Sequence, residues 1–327
     1  MRISRAALPG MILAASLIAE PPTPGPQDGL AAVNTALQAG QADKALALLK
    51  SLPSPVANSA EAHNLRCRVL FTLEQFEAAK NECQQAVNLD PQNSMYHLWL
   101  GRALGEVADR ANFVNAYGLA KRARSAFEQA VQLDPSNAEA LADLGEFYSS
   151  APGVVGGGTD KAAGVASQLD RIDRARAHEL RSAIAKQNSD MATAEREMKE
   201  AVAASAHPAF QWMRLASFYR SAKRYAEMES AVQSGWMAAQ RDPHAAVALF
   251  NGASVLIKSN RNPSLAIKLL EAYLASPLAT EEAPTFTARV WLARLRAQTG
   301  DAEGARREKA EALALAQEYK PAQDLKL

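Results

Sequence analysis

The sequence predicts an all-α chain in which about seven pairs of antiparallel helices stack side by side. Three observations carry that expectation. The segment Ala79-Lys-Asn-Glu-Cys83-Gln-Gln-Ala86-Val-Asn-Leu-Asp-Pro91 aligns with Ala123-Arg-Ser-Ala-Phe127-Glu-Gln-Ala130-Val-Gln-Leu-Asp-Pro135. Both copies end on Leu-Asp-Pro, and proline restricts the residue before it and cannot continue a helix. Of the 327 residues, 48% are hydrophobic, largely Ala and Leu, and only 6% are aromatic, a balance suited to closely packed helices.

The chain opens with Arg2 and Arg5, followed by an uncharged, mostly apolar stretch from Ala6 to Ala19; Glu20-Pro21-Pro22 then ends any helix. This is the layout of a secretory signal peptide over residues 1–19, cut after the small Ala19. The run falls short of the roughly 20 residues that cross a bilayer. No later run reaches that length, so no stable membrane span is expected in the mature chain. Pro21, Pro22, Pro24, Gly25, Pro26 and Gly29 make residues 20–29 an extended linker. The expected location is therefore the periplasm or cell envelope, with the repeat body over residues 30–322 and a tail at 323–327.

Within the body, Gly40, Ala45 and Leu49 suggest a partial opening repeat. Leu100-Gly101 and Leu141-Ala-Asp-Leu144-Gly145-Glu-Phe-Tyr148 follow the two Leu-Asp-Pro junctions. Ala194, Met198, Ala201 and Pro208 mark another second helix, and Trp212, Leu215, Ala216 and Tyr219 another first helix. The segment from Phe250 to Pro277 is degenerate, and Leu292, Ala293, Gly300, Ala305 and Ala312 fit a last repeat. Small residues such as Gly101, Gly145, Ala79 and Ala123 would let helices approach closely. Phe127, Tyr148 and Trp212 would fill the gaps between pairs, which cannot bury their apolar faces alone.

A first helix of the form Leu-x-x-Leu-Gly-x-x-Tyr, then Ala-x-x-x-Phe-x-x-Ala and Pro, resembles the tetratricopeptide repeat, whose period is about 34 residues. The resemblance runs from Leu30 to Ala322 and implies a right-handed α-solenoid. The Gly-rich stretch, with Ala116-Tyr117-Gly118-Leu119-Ala120-Lys121-Arg122, looks like a subgroup of bacterial exported tetratricopeptide proteins. In the family, fixed positions of each first helix line the concave surface. That places Asn64, Arg68, Leu98, Arg102, Glu146, Met213, Ser217 and Arg220 in a peptide-binding groove. Arg68 and Arg102 are equivalent in adjacent repeats and could converge on one anion, for which the planar guanidinium is suited.

Two insertions break the period. Pro91 and Pro135 lie 44 residues apart, about ten more than one repeat, with the surplus near Glu106 to Gly118. The second runs from Ala151 to Asp160. Both fall at the turn inside a pair and should project from one edge.

Other chemistry is sparse. Thirty-six basic residues against 35 acidic give a net charge of +1, which argues against a nucleic-acid partner. Cys67 and Cys83 face each other in one predicted pair, either bonded or as two buried small hydrophobes. The five histidines show no metal-ligand spacing, and no nucleophile motif appears, so no catalytic residue, metal site or cofactor is expected. Gly153 to Gly158 has the gap of a phosphate loop, but Thr159-Asp160 replaces its Lys-Ser/Thr.

The function expected is a non-catalytic scaffold that binds a peptide segment or envelope protein through the groove and edge loops. One alternative is an assembly factor joining copies through end repeats. A second is an anion or nucleotide site at the Gly-rich loop.

Overall fold

In the computed structural model, which describes residues 26–327, polar caps start the helices where the sequence places its junctions. Asp90 accepts the Gln92 N–H and Asn93 caps the next helix through Met95 N–H. The second junction repeats this: Asp134 accepts from Ser136, and Asn137 caps through Glu139 and Ala140. Side-chain caps of this kind contribute about 1 kcal/mol each. The signal peptide proposed over 1–19 lies outside the described residues.

Eight helix pairs result, where the sequence pattern suggests about seven. They are α1 Pro26–Gln38 with α2 Ala42–Ser51; then, after the single turn α3 Ser54–Ala57, α4 Ala60–Thr72 with α5 Phe76–Leu89. Next come α6 Ser94–Arg110 with α7 Phe113–Leu133, α8 Ala138–Ser150 with α9 Thr159–Leu169, and α10 Arg174–Gln187 with α11 Met191–Ala204. The last three are α12 Pro208–Ser221 with α13 Tyr225–Ala239, α14 Ala246–Lys258 with α15 Pro263–Ala275, and α16 Thr285–Gln298 with α17 Ala302–Leu315. A short α18, Lys320–Gln323, closes the chain, and no strand occurs among the described residues.

Two boundaries differ from the sequence reading. The helical body begins inside the linker at Pro26, because proline's missing N–H costs nothing at a helix start. The tail is held as far as Leu325, whose carbonyl accepts from Lys309 Nζ at 2.6 Å.

Six pairs turn through residues of positive φ: Gly40, Glu74, Ser189, Lys223, Asn260 with Asn262, and Gly300. The other two carry the insertions. The first is helix rather than loop: α6 and α7 are both lengthened and only Ala111 and Asn112 separate them. The second is a 3-10 turn, Gly153–Val155, followed by Gly156 at φ 95°. Close approach works as the small residues suggest. A Cβ on Gly101 would stand 2.5 Å from the Phe127 ring, and Ala79 and Ala123 are buried.

The two ends of the solenoid meet. Leu30, Val33 and Leu37 of α1, Leu65 and Val69 of α4 and Leu73 just after it share one core with Phe286 and Val290 of α16 and with Tyr319. Polar contacts seal the seam. Thr285 Oγ1 donates to Ala39 O at 3.2 Å, Gln317 N–H to Asp43 at 2.8 Å and Tyr319 Oη to Glu74 at 2.9 Å. An open repeat array contacts only its neighbours; here the last pair also packs on the first.

Candidate functional site

The residues expected in the groove lie on the first helices of the pairs. Asn64 and Arg68 are four residues apart on α4 and so share one side of it. Beside them is a cavity of about 650 Å³ lined by Leu30, Asn34, Glu61, Asn64, Arg68, Asn93, Tyr96 and Trp99, among others. Asn64 is 4% exposed, and its Nδ2 has no hydrogen-bond partner. A buried amide donor left unpaired costs about 1–3 kcal/mol, which an acceptor in the cavity would recover.

Arg68 is already engaged. Its Nε donates to Glu281 Oε2 at 2.9 Å and its Nη2 to Oε1 at 2.5 Å, a bidentate pair, while Nη2 also reaches Asn34 Oδ1 at 3.2 Å. Gln38 holds the same segment: its Nε2 donates to Glu281 Oε1 at 3.1 Å, and its Oε1 accepts the Glu281 backbone N–H at 3.3 Å.

Arg102 does not join Arg68 on one anion. The two guanidinium groups flank Trp99, at 5.6 Å and 4.9 Å from its ring. Arg102 instead donates to Asp143 at 2.6 Å and to Glu139 at 3.2 Å. Burial would lower its pKa, but these two carboxylates outweigh that and raise it.

The remaining groove positions divide. Leu98 and Met213 share the repeat position of Asn64, but both are core residues, 0% and 2% exposed. Apolar side chains there sink between neighbouring helices, with Met213 wedged against Gly235 and Gly252. Glu146 reaches solvent, yet protein surrounds it closely enough that desolvation raises its pKa. Asp143 and Glu179 add to the rise, and Arg214 opposes it. Ser217 and Arg220 are half-buried, and Arg220 Nε is unpartnered.

Sequence reasoning missed Glu281, Gln38, Trp99 and Glu282. Desolvation first, then the charge of Glu139, raises the Glu282 pKa, and Arg102 and Arg176 oppose the rise. The segment holding Glu281 and Glu282 follows the degenerate stretch and carries no repeat signal. Trp99 was visible only as the aromatic next to a predicted groove residue.

Cys67 on α4 and Cys83 on α5 are joined as a disulfide, with Cα atoms 5.2 Å apart. In the Gly-rich loop the amides serve the loop itself. Gly156 donates to Gly153 O, Gly157 to Pro152 O and Gly158 to Tyr148 O, while Lys161 Nζ turns to Gly156 O at 2.9 Å. That leaves no phosphate cradle. The lengthened α6 and α7 overhang the α4–α5 turn, enclosing an outer cavity of about 1040 Å³ and exposing Phe113 and Val114. No cluster of His, Cys, Asp and Glu able to hold a metal occurs among the described residues, nor any helix long and apolar enough to cross a membrane.

Residues 60–93, which are α4, α5 and the junction after them, match the family model described as tetratricopeptide repeat. Over 125 residues the chain is 29% identical to mouse (Mus musculus) superkiller complex protein 3; that stretch is 38% of this chain but only 7% of the relative's length. A thermophilic tetratricopeptide protein of Thermus thermophilus superposes with a TM-score of 0.48 at 20% identity, covering 59% of this chain and 98% of its own. The PilF protein of Pseudomonas aeruginosa gives 0.36 at 14% identity, covering 82% and 97%.

Proposed function

We propose that this tetratricopeptide-repeat solenoid is a non-catalytic interaction scaffold that takes an extended segment of a protein partner along its concave face at α4 and α6. One observation carries the proposal. Asn64, whose Nδ2 is buried without a partner, is a lining residue of the cavity beside Arg68, a guanidinium that holds a carboxylate of its own chain. An amide short of a partner thus stands near a charged fork suited to carboxylates. The proposed partner segment supplies an acceptor to Asn64 and a carboxylate to Arg68. The reading in which end repeats join separate copies is less favoured, since residues of the first and last pairs share one core within one chain.

We further propose export to the cell envelope, with residues 1–19 as the signal. The Cys67–Cys83 bond supports an oxidising compartment.

The test is a library of extended peptides panned against the full chain, with Asn64→Ala and Arg68→Gln as counter-screens. Selected peptides should carry an Asp, Glu or terminal carboxylate and should lose about tenfold in affinity to each variant. Peptides that bind the variants as well as the parent would reject the groove assignment. For location, residues 1–25 fused to a reporter active only outside the cytoplasm should give activity; a silent fusion would reject export.

A further inference from the structure

The segment Ser276–Pro284 joins α15 to α16 and crosses to the concave face. Its base is fixed: Tyr273 Oη donates to Ala283 O, Ala283 is fully buried, and Pro284 opens α16. Its tip is held differently. The polar contacts that bind it to the first helices are those of Glu281 with Arg68 and Gln38. Beside that hold, Thr280 Oγ1 is buried without a partner. The tip is thus fastened at Glu281, with an unmet hydroxyl next to it.

We infer that Ser276–Pro284 is an internal strap that occupies the partner's place at Arg68, so that a partner binds only by displacing Glu281 with a carboxylate of its own. The inference rests on the groove reading above. The strap occupies the Arg68 part of the site, while the adjoining cavity at Asn64 stays open as the point of first entry. The partner's segment then meets Asn64 before it competes for Arg68. Because the competing group belongs to the same chain, its effective concentration is high and raises the affinity a partner must reach.

The probe is a fluorescent peptide with the sequence SPLATEEAP, copied from residues 276–284, titrated into the full chain. Glu281→Gln frees the strap, and this variant should bind the peptide at least about tenfold more tightly than the parent. The gain should vanish in Arg68→Gln/Glu281→Gln. Hydrogen exchange across residues 277–283 should rise in Glu281→Gln while the helical circular dichroism holds. Gln38→Ala, which loosens the strap without touching either charge, should give a smaller gain. Equal binding by the parent and Glu281→Gln overturns the strap and leaves the groove reading standing. Unchanged exchange in Glu281→Gln also overturns the strap. Faster exchange with no peptide binding to either chain overturns strap and groove together.

Discussion

Arg68 on α4 and Glu281 in the α15–α16 segment, 213 positions apart in sequence, form a bidentate pair whose side chains are only 17% and 9% exposed. The first and last parts of the solenoid therefore share more than an apolar seam. Charge-assisted bonds at this depth are stronger than surface pairs, because little water competes for either group. The pair also fixes the place where the concave face meets its own chain.

Removing one partner leaves the other charge partly buried and unanswered. Arg68→Met should therefore destabilise the protein by about 2 kcal/mol, more than a surface pair would cost. Glu281→Gln keeps a neutral acceptor and should cost less. The reversed pair Arg68→Glu/Glu281→Arg should recover part of the loss of Arg68→Glu alone. Urea unfolding of these variants and of Glu281→Arg alone checks this, and additive losses in the double variant would show that the two side chains act independently.

The turn residue Lys223 sits at φ 59°, in the left-handed region, where a side chain costs about 1–2 kcal/mol that glycine does not. Glycine gives back part of this through the freer unfolded chain. Lys223→Gly should thus stabilise the α12–α13 pair by up to about 1 kcal/mol, read as a higher urea midpoint. A lower midpoint would mean that the Lys223 side chain does more at the turn than its backbone costs.

The same turns show how much of the fold was legible. The junctions at Pro91 and Pro135 could be read because proline and the Asn caps act locally. Gly40 and Gly300 announced two of the six left-handed turns. Asn260 gave a weaker signal, since asparagine tolerates the left-handed region, and Glu74, Ser189 and Lys223 gave none. The site was half legible. Asn64 and Arg68 line one cavity and Arg102 flanks Trp99 beside it, whereas Leu98 and Met213 at the Asn64 repeat position are core. Repeat position fixes a direction; the character of the side chain decides whether that direction ends in solvent or in the neighbouring helix. Glu281 was out of reach, because no local pattern ties it to Arg68. The closure of the ends depends likewise on curvature summed over eight pairs.

Acid should act on two groups of carboxylates in opposite senses. Glu195 is held down to about 2 by hydrogen bonds first from Arg224, then from Lys199 and Tyr219. Its contribution is fully present above the unfolded value of 4.5 and is lost as pH falls from there toward 2. Glu146 and Glu282 are shifted upward, chiefly by burial. Once ionised they disfavour the folded state, so protonating them as pH falls raises its stability relative to neutral pH. Glu195→Gln should flatten the acid limb of the stability profile below pH 4.5, and Glu282→Gln should remove part of the gain on mild acidification. Carboxyl shifts followed by NMR titration give the two directions separately. A Glu282 that titrates at or below the usual value would contradict the crowding at the strap.

Gly40 and Gly300 separate the cost of the turn from the cost of closure. Both have positive φ, 68° and 90°, so alanine strains the backbone at either by about 1–2 kcal/mol. Their surroundings differ. A Cβ at Gly300 would meet nothing within 4 Å, whereas one at Gly40 would overlap Thr285, at 2.8 Å from its backbone nitrogen. Thr285 opens α16 and donates to Ala39 O, so the added methyl pushes directly on the seam. Overpacking of this kind adds about 1–3 kcal/mol. Gly300→Ala should therefore show the turn strain alone, and Gly40→Ala should lose more stability and also part the two ends. Small-angle scattering should record a larger radius of gyration for Gly40→Ala only. Trimming the opposing side chain in Gly40→Ala/Thr285→Ala should return part of the loss, since it removes the hydroxyl in the way but leaves φ unchanged. Equal losses and equal radii for the two glycine variants would mean that the α1–α16 contact does not hold the ends together.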